Sequence, residues 1–466
     1  MLGGRQYSLF FLLFGLSFIA RAQNSDDQYR KPLQVVLDDI QKRFNVTIKA
    51  DQALVKDKWV TYADWRFRDD ADVTLNNVLA PLDLKVNKEG PGKYKLKNFE
   101  YHRWSVEDGW EHHDKIAASY HDVATWARRK VVLKQELYAA LGLANMPARP
   151  LSKPIITPKR VMNGYTVENI AIEILPGVYI NGSLYKPARI KGKIPVVLSP
   201  DGHWGGHRFR KDAQLRCASI ARMGAMAFSY DLFAWGESLL QFNSEDHRRS
   251  LAVTIQALGG IRILDYLLSL DQVDKKRVGI SGGSGGGSHT TLMTAMDDRI
   301  TLAAPVVSLS SYFFGGCPCE SGMPIHQCGG GTNNVELAAM AAPRPQLVVS
   351  DGKDWTDRMP EHDFPYLQKI YGYYGKSGNV ENVHLPEEGH DYGISKRKAL
   401  YAFLAKHFKL DESQIQYVNG QESGITIEPE KALYVFGDNG EKLPAHAVKG
   451  FENLEKVFKA ETAKNR

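Results

Sequence analysis

Residues 279–289 read GISGGSGGGSH, six glycines and three serines in eleven positions. So little side-chain bulk suits a slack linker, a phosphate-cradling loop, or a tight turn that thrusts one side chain out of a strand-to-helix junction. A phosphate loop needs a lysine followed by Ser or Thr after its last glycine, and none follows here. A dinucleotide loop needs G-x-G-x-x-G, but counting from Gly283 or Gly285 the last position is Ser288 or Thr290. A linker would not sit between an apolar strand, VGIS, and a helical run, HTTLMTAM. What remains is G-x-S-x-G, in which a serine adopts strained backbone angles and its neighbours must be small. The positive end of the following helix then favours negative charge at that serine.

The motif occurs twice, around Ser281 and around Ser284. Val278 and Ile280 alternate as buried strand residues, which keeps Ser281 in the strand. Ser284 lies at the turn, with a helix opening soon after, and is the expected nucleophile. A lone hydroxyl reacts poorly, so it needs a base oriented by a carboxylate. PQLVVSDGKDWT is an apolar strand ending in a polar turn, and Asp354 is the best-placed acid there. Asp351 is the nearer rival, with Glu320 and Asp357 weaker ones. ENVHLPEEGHDYG is a strand and then a loop holding His390, the expected base; His384, inside the strand, reads as structural.

The surrounding sequence alternates short apolar strands (IPVVLSP, GAMAFSYDLF, KRVGIS, ITLAAPVVS, PQLVVSDG, ENVHLP) with helical stretches, the pattern of a mostly parallel sheet covered on both faces. YTVENIAIEIL and YINGSLYKP precede them as an antiparallel edge. Residues 101–160 read as helical and aromatic-rich, ending in a proline belt, and residues 411–466 as a polar extension. Residues 30–98 form a unit of their own: an amphipathic helix and short strand in KPLQVVLDDIQKRFNVTIKAD, an alternating strand in WVTYADWRFRDD, then helix, strand, turn and strand. The first 22 residues, with Arg5, an apolar run from Leu9 to Ile19 and Ala20-Arg21-Ala22, read as a cleavable secretory signal. No later stretch reads as long and apolar enough to span a membrane.

GYTVENIAIEILPGVYINGSLYKP, SPDGHWGG, GISGGSGGG, AAPRPQLVVSDGKDWT and EEGHDYG together resemble serine esterases of the α/β-hydrolase fold. More narrowly, residues 101–410 resemble acetyl-xylan-esterase-like and dienelactone-hydrolase-like proteins. The resemblance implies an oxyanion pocket lined by the amides of His203 and Gly285, Trp204 as a wall, and Arg208, Arg210 and Arg358 near a mouth that takes an ester of a plant polysaccharide, acetyl or methyl. It calls for no cofactor or metal. His203 and His207 as metal ligands or solvated loop residues stay open as alternatives. YDLFAWGES, 230–238, matches a loop of that fold. Residues 30–98 resemble the short N-terminal domain of secretins and TonB-dependent transducers, which implies a Gram-negative source, a periplasmic or secreted protein and an envelope partner. Two rival functions share these features: a serine peptidase of the prolyl-oligopeptidase type, for whose gating domain seventy residues are too few, and an interaction protein whose hydrolase domain is a passenger.

A formal charge of +6, without a Lys/Arg cluster, gives no footprint for nucleic acid. Of four cysteines, Cys317, Cys319 and Cys328 fall in CPCESGMPIHQC; in an oxidising compartment a loop disulfide to Cys328 is expected, the rival being a metal site that adds His326.

Overall fold

The computed structural model describes residues 30–464 apart from 61–62, 80–81, 83, 99–103, 314–319 and 321–323. The expected leader, residues 1–22, and two of the loop cysteines, Cys317 and Cys319, therefore lie outside the described residues. The chain divides into two units, one ending at residue 99 and the other running from 100 to 466.

In the first unit, helix α1 (Leu33–Phe44) and helix α2 (Ala71–Leu79) accompany a three-stranded sheet of β1 (Thr47–Lys49), β2 (Leu84–Gly90) and β3 (Lys93–Asn98), ordered β1-β3-β2. Leu33, Val36, Leu37 and Ile40 form the buried stripe of α1, packed with Leu75, Val78 and Leu96. The strand expected over WVTYADWRFRDD is shorter than its alternation suggests. Trp59–Val60 pairs with Lys31–Pro32, and Ala63–Arg66 winds into a 3₁₀ turn. Tertiary hydrogen bonds override the pattern: the Arg66 guanidinium donates to Asn77 O, and the Asn77 amide donates back to Arg66 O.

The second unit begins with α3 (Val106–Ala117) and α4 (Val123–Ala140) and is built around one large sheet. Its strands are β4 (Tyr165–Leu175), β5 (Val178–Pro187), β6 (Ile194–Pro200), β7 (Met226–Tyr230), β8 (Val273–Gly283), β9 (Leu302–Val306), β10 (Gln346–Asp351) and β11 (Val380–Leu385). The order is β11-β10-β9-β8-β6-β7-β5-β4, parallel from β11 to β7 and antiparallel from β7 to β4. The mostly parallel sheet expected from the strand pattern, and the α/β-hydrolase architecture implied by the resemblance, are those observed.

Both faces of the sheet are buried, and β6 shows why its sequence is continuously apolar. Val196 and Leu198 pack with α6 (Ser250–Ser269), α7 (Gly285–Met296) and α8 (Phe364–Tyr373), while Val197 packs with α5 (Lys211–Met223) and α9 (Ile394–Phe408). One expectation needs correction here. Leu251–Ser269 of α6 is long and apolar enough to cross a membrane, yet it is a largely buried core helix whose apolar residues face the protein interior. Residues 411–466 join the same unit rather than standing apart, and end in α10 (Phe451–Ala463), whose Phe451 and Leu454 enter the core. Arg397 holds Glu422 through two bonds of 2.7 Å, and Arg160 holds Glu428.

Candidate active site

The glycine-rich stretch is the junction of β8 and α7. Ser284 sits between them at φ 55° and ψ −127°, a strained conformation for a residue with a side chain. Its amide donates to Val306 O at 3.0 Å, which ties the turn to β9. Every residue of α7 is buried, so the helix must press directly against neighbouring backbone. A Cβ on Gly286 would stand 2.6 Å from Pro200 O and 2.7 Å from Asp201 O, and one on Gly287 would stand 2.3 Å from Ser308 Oγ. Those contacts, rather than slackness, explain the glycines. Ser281 is fully buried inside β8; its Oγ donates to Ala304 O at 2.8 Å and is 2.7 Å from the Tyr392 hydroxyl. It is a packing residue.

Asp354 lies just past β10 and His390 in the loop after β11, so both stand at the carboxyl ends of the parallel strands, as Ser284 does. His390 Nδ1 donates to Asp354 Oδ2 at 2.7 Å, and Thr356 donates to Asp354 Oδ1 twice, from its amide at 2.7 Å and its hydroxyl at 2.6 Å. Burial opposes ionisation of Asp354, but the bonds from His390 and Thr356 outweigh it and hold the carboxyl below the usual range. The His390 ring packs 4.4 Å from that of Trp355 and 5.6 Å from that of Trp204. An open cleft of about 650 Å³ borders His390, Asp354, Trp355, Lys353, Tyr312 and Trp104.

Ser284 Oγ donates at 3.4 Å to Glu320 Oε1, and no hydrogen bond joins it to His390 among the described residues. Glu320, read from sequence only as a weaker candidate acid, thus touches the serine rather than His390. Its Oε1 also lies 3.1 Å from His203 Nδ1. The His203 ring covers Gly285: a Cβ there would stand 2.5 Å from His203 Cε1. Gly285 opens α7, so its amide is among those the helix leaves without an internal partner. His203 and Gly285 are thereby brought together beside Ser284. His247, which carried no motif, meets the His203 ring at 4.7 Å between centroids and is buried.

The other expected residues distribute differently. Asp351 is fully buried; burial, then repulsion from Asp354, raises it to about 7 against the pull of Lys396, whose Nζ is 3.4 Å away. His384 pairs with Ser350 Oγ, and Asp357 accepts from the Tyr312 hydroxyl at 2.6 Å. Trp204 carries the Arg210 guanidinium 4.9 Å from its ring centre, and Arg210 is clamped by Asp201 and Asp212. Arg358 is exposed and paired with Glu361. Arg208 does not reach a mouth. Its side chain is 1% exposed and bonded to Asp231, Glu237, Ser183 Oγ and Leu433 O, because the loop after β6 folds inward across the 231–238 turn.

The cysteine loop is also corrected. Cys328 is a free thiol buried in the core, 4.0 Å from Pro324 O, and burial raises it to about 11. His326 is bonded to Asn334 and burial lowers it to about 4. Among the described residues, no group of three or more His, Cys, Asp or Glu side chains is arranged to hold a metal.

No described family profile matches the chain. Acetyl esterase Axe7A of Xylanibacter ruminicola is 25% identical over 253 residues, 49% of this chain and 53% of that protein, so the chain spans about half the length of this curated relative. Methylesterase BT1017, a solved structure, is 48% identical, with a TM-score of 0.74 and coverage of 95% of this chain and 99% of that one. With the sheet order, the strained serine and the Asp354–His390 pair, that likeness over nearly the whole length places the chain with methylesterase BT1017 in a family of carboxylic-ester hydrolases of the α/β-hydrolase type.

Proposed function

We propose that the chain is a serine esterase that removes methyl or acetyl groups from plant-cell-wall polysaccharide, with methyl esters of uronic acid residues as the first substrates to try. The observation that carries this reading is the Asp354–His390 pair standing at the same strand ends as the Ser284 turn. Ser284 Oγ attacks the ester carbonyl and gives its proton to His390 Nε2, while Asp354 holds Nδ1 and fixes the tautomer. The oxyanion forms against the amides of Gly285 and His203. His390 then protonates the departing alcohol, and water repeats the sequence on the acyl-enzyme. The relative matched over its full length is a methylesterase, which supports methyl esters, and Axe7A is an acetyl esterase, which keeps acetyl esters in view. Trp204 and Trp355 beside His390 offer flat apolar faces for a sugar ring.

Purified protein should release methanol from methyl-esterified pectin, or acetate from acetylated xylan, and the Ser284→Ala protein should release neither. Persistent release by that variant would overturn the reading. On the same resemblance as before, residues 30–98 serve as an envelope-docking module of a periplasmic or secreted protein. Capture of an envelope protein by full-length chain and its loss on deleting this unit would support that role.

A further inference from the structure

A chain of polar groups separate from the Asp354–His390 pair reaches Ser284. Phe233 O lies 2.5 Å from His247 Nδ1, His247 Nε2 lies 2.6 Å from His203 Nε2, and His203 Nδ1 lies 3.1 Å from Glu320 Oε1. Glu320 Oε1 also accepts from Ser284 Oγ at 3.4 Å. Counting protons along this chain constrains its charge. A carbonyl only accepts, so His247 Nδ1 carries a proton. The nitrogen–nitrogen contact needs one more, and the His203–Glu320 contact a third. Two neutral imidazoles and an ionised carboxylate hold only two, which would leave one of these close contacts as lone pair against lone pair. Satisfying all three contacts takes one proton beyond that inventory, which would make the three side chains together neutral: an ionised Glu320 facing one imidazolium, or a protonated carboxyl.

Position gives this proton a use. The edge of the His203 ring that bears Nδ1 covers Gly285, with Cε1 and Nδ1 2.5 and 2.7 Å from where a Cβ would stand. Gly285 supplies an oxyanion amide in the mechanism above, on which this inference rests. Trp235 packs against both imidazoles, 5.6 Å from His203 and 5.4 Å from His247, and Phe233 O fixes how the His247 ring is turned. We propose that Glu320, His203 and His247 retain one extra proton at neutral pH, with Glu320 ionised, and present it through His203 Nδ1 to the ester carbonyl oxygen as an ionic donor. As Ser284 Oγ bonds to carbon and its proton passes to His390, the carbonyl π pair moves to oxygen and accepts from His203 Nδ1–H, in place of Glu320 Oε1. When the tetrahedral species collapses the pair returns, and alcohol leaves with the proton held by His390. His203 is a catalytic residue in this scheme; His247 is a positioning residue.

His203→Gln keeps the backbone amide at 203 and removes only the ring. Steady-state kinetics on methyl-esterified pectin should show kcat falling about 100- to 1000-fold with KM within about threefold, the loss that follows removal of one oxyanion donor. His247→Gln should lower kcat at least about tenfold, again at constant KM, with the thermal midpoint retained. Nitrogen NMR of ¹⁵N-histidine-labelled wild-type enzyme at pH 7, assigned with these variants, should find three of the four ring nitrogens of His203 and His247 protonated. Two protonated nitrogens would overturn the ionic donor whether or not a variant folds. An inactive Ser284→Ala protein beside a folded His203→Gln protein with near-normal kcat would defeat this inference alone, whereas an active Ser284→Ala protein would defeat the esterase mechanism beneath it.

Discussion

Replacing Asp354 with Asn changes one atom and, by the hydrogen bonds around it, reverses the tautomer of His390. Two donors from Thr356, its amide and its hydroxyl, converge on Asp354 Oδ1. An asparagine side chain keeps its oxygen there, since turning the NH₂ group that way would set it against the Thr356 amide N–H, which can only donate. The NH₂ then faces His390 Nδ1 across 2.7 Å and can only donate. His390 must accept on Nδ1, so its proton moves to Nε2, the nitrogen that has to receive the proton of Ser284. A base locked in the wrong tautomer costs about 10⁴-fold in kcat in a serine triad, or about 5 kcal/mol of transition-state stabilisation. Initial rates of methanol release, or of p-nitrophenyl acetate cleavage, measure it directly, and a circular dichroism melt checks that the protein stays folded. A loss of less than tenfold, or one confined to KM, would refute the reasoning. If Asp354→Asn were nearly silent while Glu320→Gln abolished turnover, the carboxylate that matters would be the one beside Ser284.

Arg208→Met should leave Asp231 and Glu237 buried without their cation, costing about 3–5 kcal/mol of stability, because breaking a buried pair is far worse than removing it whole; a thermal melt checks this, and an unchanged midpoint with a raised KM would return Arg208 to the substrate. Gly286→Ala forces a Cβ against two carbonyl oxygens and should cost at least about 1–3 kcal/mol and much of the activity, whereas Gly205→Ala, with open space around it, should be silent in the same melt and assay. Asp351, raised to about 7, binds its proton more tightly folded than unfolded, so its contribution to stability is lost as pH rises from the ordinary carboxylate range towards 7. Asp351→Asn should therefore raise the thermal midpoint more at pH 8 than at pH 5; the opposite order would show that Lys396 keeps the carboxylate ionised in the fold.

Ser284, Asp354 and His390 were legible as candidates because each sits where a secondary-structure pattern breaks: strand to glycine turn, strand to polar turn, strand to loop. Register favoured Ser284 over Ser281, and the strand that holds Ile280 does bury Ser281 against Ala304 O. Arg208 was misread because a loop position suggests exposure, and nothing local reveals that Asp231, Glu237 and the 433 carbonyl converge on it. Glu320 reaches Ser284, and His247 reaches His203, from segments far apart in the chain, so no spacing announces them. The strand expected over residues 59–70 failed for a similar reason, as Arg66 and Asn77 trade hydrogen bonds that alternation cannot foresee. Cys328, whose neighbours suggested a crosslink, is packed as a small apolar side chain instead.

Covalent labelling tests the central claim most directly. A fluorophosphonate reacts with an activated serine and leaves a fixed mass on it. Wild-type enzyme should take up one equivalent with loss of ester hydrolysis, and fragmentation of the 278–299 peptide should place the mass on Ser284. Ser281→Ala should still be labelled, and Ser284→Ala should be neither labelled nor active. Label on Ser281, or methanol release by a Ser284→Ala protein that takes up no label, would contradict the account.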